Sequence, residues 1–381
     1  MKKLLLLLFL IPLISCTEDG RGEKEVTFLQ DRNGIRYEVN SEVGFTGKYV
    51  EYFENGQKRI EEHLKLGKRN GLKTDWYENG QKKFERNFMN GKREGLTTTW
   101  FENGQKKSED NVKDGEIEGL TTEWHENGQK RSEANWKNGD FDGLVIGWYE
   151  NGQKRSEANW KNGKQDGLKT EWHKNGRKES EGNWKNDKQE GLLTAWYENG
   201  QKRTEINYKN GKKEELQTRW HENGQKRSEA NWKNGKQDGL KTEWHKNGRK
   251  ESEGNWKNDK QEGLLTAWYE NGQKRTEINY KNGKKEELQT RWHENGQKRS
   301  EANWKNGKQE GLVTEWHKNG QKRFEGNWVD GKVDGVVTFW DKEGDVTKTD
   351  TYKDGKLVSS NDRLSENILD EIIKYITLVT D

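Results

Sequence analysis

Tryptophan returns along this chain at a fixed pitch. Trp76, Trp100, Trp124, Trp148, Trp172, Trp196, Trp220, Trp244, Trp268, Trp292, Trp316 and Trp340 are each 24 residues from the next, and Tyr52 extends the series one step back. A second series runs 12 residues out of phase: Phe88, Val112, Trp136, Trp160, Trp184, Tyr208, Trp232, Trp256, Tyr280, Trp304, Trp328 and Tyr352. The two series hold 12 and 7 Trp, which accounts for all 19 in the chain. Periods of 20 to 50 residues mark solenoids and arrays, in which each unit buries its surface against its neighbours.

The local pattern reads as β-structure. Glu150 to Gln153 and Lys161 to Lys164 each centre on Asn-Gly, residues that accept positive φ cheaply and so favour hairpin turns. Gly152, Gly163 and Gly167 are the candidate turn glycines. Between turns the sequence alternates with period two, as a half-buried strand does. Leu168, Thr170 and Trp172 fall on one face of such a strand, with Lys169 and Glu171 on the other. In the next strand Ser180, Gly182 and Trp184 lie opposite Glu179, Glu181 and Asn183. A two-residue Asn-Gly loop pairs Trp172 with Glu179 and puts successive Trp on opposite faces. A loop of odd count brings both series to one face. The shared face is expected here, because it separates large rings from charge. The fold class is therefore all-β: an elongated, twisted antiparallel β-hairpin array of 24-residue units, closed by a C-terminal helix.

Composition needs the lattice to make sense. The chain is 36% charged and 27% hydrophobic, with mean hydropathy −1.44, which alone points to disorder. Nineteen Trp and a single Pro point the other way. Each Trp buries of order 150–250 Å², so at ~25 cal/mol/Å² it contributes at most roughly 4–6 kcal/mol. The aromatic lattice is expected to be the core. About 26 strands at ~4.8 Å make a sheet of order 125 Å, which must twist or coil. Lys and Arg number 70 against 67 Asp and Glu, a balance that gives no net pull toward nucleic acid.

The first residues are of another kind. Two Lys precede an apolar run from Leu4 to Ile14, interrupted by Pro12 and followed by Ser15-Cys16. That run is shorter than the ~20 residues a bilayer needs and has the pattern of an export signal. Leu13-Ile14-Ser15-Cys16 resembles the lipobox of bacterial lipoproteins. The resemblance implies cleavage before Cys16 and acylation of its thiol, a membrane anchor in the cell envelope. Cys16 is the only Cys, so no internal disulfide forms. Thr17, where Asp would favour the inner membrane, points to the outer membrane or surface in that family.

Trp160-Lys161-Asn162-Gly163-Lys164-Gln165-Asp166-Gly167 matches the W-x-x-G-x-x-x-G pattern of MORN repeats. The fuller unit, from Trp148 to Arg155, is similar to the bacterial variant in proteins labelled the YwqK family of antitoxins. The likeness covers residues 45–356, about thirteen units, and Phe45-Thr46-Gly47 resembles that family's entry segment. It implies antiparallel hairpins serving binding or scaffolding. Glu215 and Glu287 depart from it at the second Gly, as do Asp187 and Asp259 at the Gly after Asn; local change is expected in those loops. Above the 24-residue period, residues 150–220 are identical to 222–292, and 294–309 begin another copy. Multivalency gains from such copying; a single catalytic centre does not.

No residue set stands out for chemistry. His125, His173, His221, His245, His293 and His317 each follow a lattice Trp, in a slot elsewhere held by Tyr149, Tyr197 or Tyr269, and are read as large rings suited to that slot. No metal-ligand spacing accompanies them. Glu157, Glu181 and Glu229 recur beside Lys and Arg, as cross-strand salt bridges do, whereas paired catalytic acids need one singular place. No enzyme and no cofactor are expected. Residues 1–15 are read as signal peptide, 16–25 as a polar tether, 26–44 as degenerate entry strands, 45–356 as the array and 357–381 as an amphipathic helix. In that helix Ile368, Leu369, Ile372, Ile373 and Ile376 form the stripe and Ser365 the cap. The function expected is a lipid-anchored surface for a protein partner or envelope component, with antitoxin or immunity action as one version. Glycan or cell-wall binding through exposed Trp is the alternative.

Overall fold

The computed structural model describes residues 22–362, and every regular element in them is a β-strand. The chain divides into two compact units between Phe141 and Asp142. In the first, the strands from Gly47–Tyr52 to Lys130–Lys137 pair antiparallel in chain order, Glu116–Ile117 and Gly119–Trp124 both pairing with Lys106–Lys113. In the second, strand pairing runs in the same manner from Gly143, opposite Trp160, to the last strand, Lys356–Asp362.

Two turns alternate, and their chemistry explains the 24-residue unit. After strand Lys154–Lys161, Lys161 faces Lys164 across Asn162 (φ 48°) and Gly163 (φ 72°). Two central residues at positive φ make a type I′ turn, whose twist matches that of the strands. After strand Lys164–Trp172 the loop is longer. The His173 N–H donates to the Arg177 carbonyl and the Gly176 N–H to the His173 carbonyl, with Gly176 at φ 81°. This is a three-residue loop ending in a left-handed Gly.

The register corrects the expected shared Trp face. Trp172 pairs with Lys178, as an odd loop requires, but the ladder shifts at once and Glu171 pairs with Ser180. Glu179 is the extra residue of a β-bulge. The bulge cancels the odd loop, so the strand body has the register of a two-residue loop. Gly167 then faces Trp184 and Thr170 faces Glu181. Paired residues share a face, and Trp172 and Trp184 therefore lie on opposite faces. Leu168, Thr170 and Trp172 join Glu181 and Asn183 on what we call the Leu face. Lys169, Glu171, Ser180, Gly182 and Trp184 share the other, the Ala face, with Ala158, which pairs with Lys169.

Burial follows these faces. On the Ala face Ala158, Ala230, Ala302, Ile206 and Ile278 are buried, and on the Leu face Thr170, Thr194, Thr242 and Thr314. All 19 Trp are half-buried. The innermost layer is thus built of small and β-branched side chains, and the indoles cover it; the lattice is not itself the deepest core. A strand one layer thick leaves no room to enclose a ring on both sides.

A second bulge sits in every long strand. Trp160 pairs with Gln165 while Ala158 pairs with Lys169, so two extra residues enter opposite Asn159. Gly167 (φ 120°) lies in this bulge. Glu215 and Glu287 hold the equivalent place at φ 59°, and Asp187 and Asp259 keep the turn at φ 62° and 63°. The expected local change in those loops is absent: the non-glycine residues adopt the left-handed backbone.

The array is closed by an entry segment. Gln30–Arg32 and Ile35–Tyr37 form a small hairpin, and Glu25–Val26 runs parallel to Gly47–Tyr52. Glu62, 1% exposed at its side chain, accepts from Arg36 and, at 2.7 Å, from Arg69 Nε. At the other end, residues 357–362 are strand, with Leu357 opposite Tyr352, which corrects the helix expected from 357. The proposed stripe from Ile368 to Ile376, its Ser365 cap, the signal peptide and Cys16 lie outside the described residues.

Candidate binding surface

Each lattice residue has a defined set of partners. On the Leu face a Lys from the preceding hairpin lies over first-series indoles: Lys154 over Trp172 at 5.7 Å, Lys202 over Trp220 at 5.7 Å, Lys250 over Trp268 at 5.9 Å. The same Lys bridges a Glu three residues on, as Lys154 to Glu157 at 2.6 Å and Lys250 to Glu253 at 2.7 Å. The hydrogen bond from Lys250 is the main cause that holds the Glu253 carboxyl below its usual range. Charge and rings therefore share this face, each Lys serving both.

The second series is held differently. Trp136 packs on Phe141 with centroids 4.1 Å apart, Trp328 meets Phe324 edge-on at 5.5 Å, and Lys241 lies 5.9 Å from Trp256. The Nε1 atoms of Trp136, Trp232 and Trp304 are buried without a hydrogen-bond partner.

The slot after each first-series Trp is more than a place for a large ring. Tyr149 Oη donates to the Trp172 carbonyl at 2.8 Å, and Tyr197 Oη to that of Trp220. His173, His221, His245, His293 and His317 make the same contact through Nε2, with the carbonyls of Trp196, Trp244, Trp268, Trp316 and Trp340. Nε2 must carry the proton to donate to a carbonyl. Among the described residues no three His, Cys, Asp or Glu gather so as to hold a metal.

Asn of each loop ties it to the next. Asn151 Nδ2 donates to the Lys174 carbonyl at 3.1 Å and Asn175 Nδ2 to that of Glu198 at 2.9 Å. On the opposite edge an acid before the bulge Gly accepts from the next type I′ turn, as Glu190 does from the Asn210 N–H at 2.7 Å. Gly152 (φ 81°), Gly163 and Gly167 all stand at turns or bulges that need positive φ.

A further row of side chains, not anticipated from the sequence although its signal is there, lies on the face of the first-series indoles, four residues before each. Leu recurs with the same 24-residue pitch as Trp, and it is exposed. In the first unit Leu72, Leu96 and Leu120 are 39, 45 and 49% exposed; in the second Leu168, Leu192, Leu216, Leu240, Leu264, Leu288 and Leu312 range from 43 to 53%. Each is opposite an Asn in the next strand, as Leu216 is to Asn231 and Leu240 to Asn255. The result within each unit is a row of apolar side chains, one every second strand, about 9.6 Å apart at ~4.8 Å per strand.

Comparison with known proteins agrees with this architecture. Among solved structures, a chain in "Crystal Structure of TcdB2-TccC3" aligns over 77% of this chain with 12% identity and a TM-score of 0.17. This chain spans only 18% of that one, and at so low a score the likeness carries no argument. No curated protein matches the chain. The family model described as MORN repeat variant matches ten stretches: 45–65, 69–90, 93–114, 117–138, 141–162, 189–210, 216–234, 261–282, 288–306 and 309–330. These matches cover more than half of the residues, and the chain belongs to the MORN repeat variant family.

Proposed function

We propose that this is a non-enzymatic, lipid-anchored repeat protein of the bacterial cell envelope whose Leu face binds a protein partner. MORN repeats suggest a binding or scaffolding role. The observation that supports the finer reading is the row from Leu168 to Leu312, exposed apolar side chains set in a polar frame. Burying one Leu contributes of order 1.5–3 kcal/mol, so a few in register suffice for a specific contact. Immunity-type action against an exported toxin is one form this takes. Glycan stacking has less support, since the Trp are half-buried and those of the first series carry a Lys over the ring.

The test is affinity capture from envelope extract with the mature, unanchored chain, beside a Leu216→Lys/Leu240→Lys/Leu264→Lys variant. One stoichiometric protein, lost with the variant, is the expected result. Recovery of wall fragments alone, with sugar-dependent Trp fluorescence, would overturn it. The anchor is tested apart, by Cys16→Ser, which is expected to release the chain from membranes and abolish acyl labelling.

A further inference from the structure

Two of the repeat units reverse the charge of the Ala face. At the position before the lattice Trp, most of the duplicated units carry Glu or Ala, as Glu171, Glu243 and Ala267 show, and the Glu neutralises a Lys two residues away. Lys169 bridges Glu171 at 2.6 Å and Lys241 bridges Glu243 at 2.7 Å. Arg219 and Arg291 stand there instead. In the same strands Lys213 and Lys285 replace the Gln of neighbouring units, such as Gln189 and Gln261.

The consequence is a groove of about 430 Å³ lined by Arg275, Lys285, Arg291 and Arg299 together with Tyr280 and Gln289, among other residues none of which is acidic. None of the four cations makes an ion pair among the described residues. Lys285 is half-buried, 4.2 Å from the Trp304 ring centroid; burial, with Arg291 beside it, lowers its pKa. The same residue types recur 72 positions earlier as Arg203, Lys213, Arg219 and Arg227, where Lys213 and Gln217 keep the same geometry and Arg227 also acts on the Glu243 carboxylate. Lys213 is 4.3 Å from the Trp232 centroid. Gln217 Nε2 lies 3.5 Å from Thr204 Oγ1, as Gln289 does from Thr276. Burial lowers the pKa of Lys213 as well, again with an Arg, Arg219, adding to it.

Like charges that converge on one concavity repel one another and favour an anion joining them there. We propose that the second unit carries two copies of an oxyanion groove, one at Arg203, Lys213, Arg219 and Arg227 and one at Arg275, Lys285, Arg291 and Arg299, and that their ligand is a linear phosphate-bearing polymer engaging both. Along such a polymer each internal phosphate carries one negative charge on two free oxygens, and successive phosphates stand close enough together to meet several guanidinium and ammonium donors at once. The grooves are six strands apart, at most about 29 Å at ~4.8 Å per strand, and a chain that reaches both gains from effective concentration. The proposal extends the reading of the array as a binding surface but uses the face opposite the Leu row. Failure of the Leu variants and failure of the Arg variants are therefore separate results.

The experiment is calorimetric titration of the full chain with long-chain inorganic polyphosphate, tripolyphosphate and poly-glutamate at one fixed salt concentration. Polyphosphate is expected to bind at least about 10²-fold more tightly than tripolyphosphate, as bivalence allows. Arg291→Glu alone is expected to remove that advantage, and Arg219→Glu/Arg291→Glu to abolish binding. Glu at these places restores what Glu243 and Glu315 are in neighbouring units, so the variants are expected to fold, with circular dichroism and urea midpoints as the check. Lys185→Glu/Lys257→Glu makes the same charge change on exposed turn residues and is expected to bind normally. Absence of polyphosphate binding, equal loss in the Lys control, or preference for poly-glutamate overturns the proposal.

Discussion

The Lys154 ammonium lies 5.7 Å from the centroid of the Trp172 ring and 2.6 Å from the Glu157 carboxylate. The same trio recurs up the array, for instance with Lys178, Glu181 and Trp196. An exposed ion pair alone is worth little, but a cation held over indole adds ~0.5–1 kcal/mol. Lys154→Gln is therefore expected to cost about 1 kcal/mol. Neighbouring units are coupled in such arrays, so Lys154→Gln/Lys178→Gln/Lys202→Gln is expected to lower the urea midpoint progressively. A triple variant as stable as the parent would show that the Trp stack needs no cation.

The bulge glycines are expected to divide into two classes. Gly191, at φ 72°, has open space within 4 Å of where a Cβ would stand and tolerates a side chain sterically; Gly167, at φ 120°, would bring Cβ to 3.0 Å from Asn159 Cβ. Gly191→Ala should cost only the left-handed backbone, about 1–2 kcal/mol, and Gly167→Ala clearly more. The reverse change, Glu215→Gly, should stabilise by about 1 kcal/mol, offset in part by loss of the 3.0 Å bond from Asn207. Equal costs at Gly167 and Gly191 in urea denaturation would rule out this division.

His173 and Tyr149 are interchangeable on the geometry, since each reaches the carbonyl of the next Trp. His173→Tyr is expected to be neutral. His173→Phe keeps the ring and leaves the Trp196 carbonyl without this partner, at a cost of about 1 kcal/mol. Hydrogen exchange in strand Lys188–Trp196 reads the difference, and identical protection in the two variants would reduce the slot to packing.

The parts of this structure that were legible in the sequence rest on the shortest-range physics. Asn162-Gly163 and the alternation around Trp172 specify turn and strand locally, and the 24-residue pitch specifies repetition. Which face Trp184 takes was not legible, because it depends on whether Glu179 bulges, one residue whose insertion inverts everything after it. Burial was misread for a related reason. Periodicity shows that Leu168 and Trp172 share a face, but not that Lys154 covers the ring while Leu168 stays open. The basic grooves need strand pairing to be seen at all, since Arg275, Lys285 and Arg299 converge only across three strands. Glu215 and Asp187 showed the limit of pattern departures: the backbone they occupy is fixed by their neighbours.

Two kinds of partly buried acid respond to pH in opposite senses. In the first unit, burial raises the pKa of Asp110, against the pull of Arg93 and Arg86, and burial likewise raises that of Asp75 despite Lys73. In the second, burial would raise Glu171 and Glu243, but hydrogen bonds from Lys169 and Ser180, and from Lys241 and Ser252, outweigh it and the net shift is downward. A carboxyl with a raised folded pKa binds its proton more readily in the native state, so it disfavours folding at neutral pH, and that penalty fades as pH falls through the folded value. A carboxyl with a lowered folded pKa contributes stability above the unfolded value, near ~4.3 for Glu, and loses it as pH falls further. Asp110 pairs with Thr97, the place Ala158 holds opposite Val145, so Asp110→Ala reproduces a side chain the lattice already accepts. It is expected to raise hydrogen-exchange protection of strand Lys106–Lys113 at pH 7 and to have a smaller effect near pH 4. Glu171→Gln is expected to do the reverse, lowering protection of strand Lys164–Trp172 at pH 7 with the deficit closing in acid. A gain from Asp110→Ala that is the same at both pH values would assign it to packing and remove the electrostatic account.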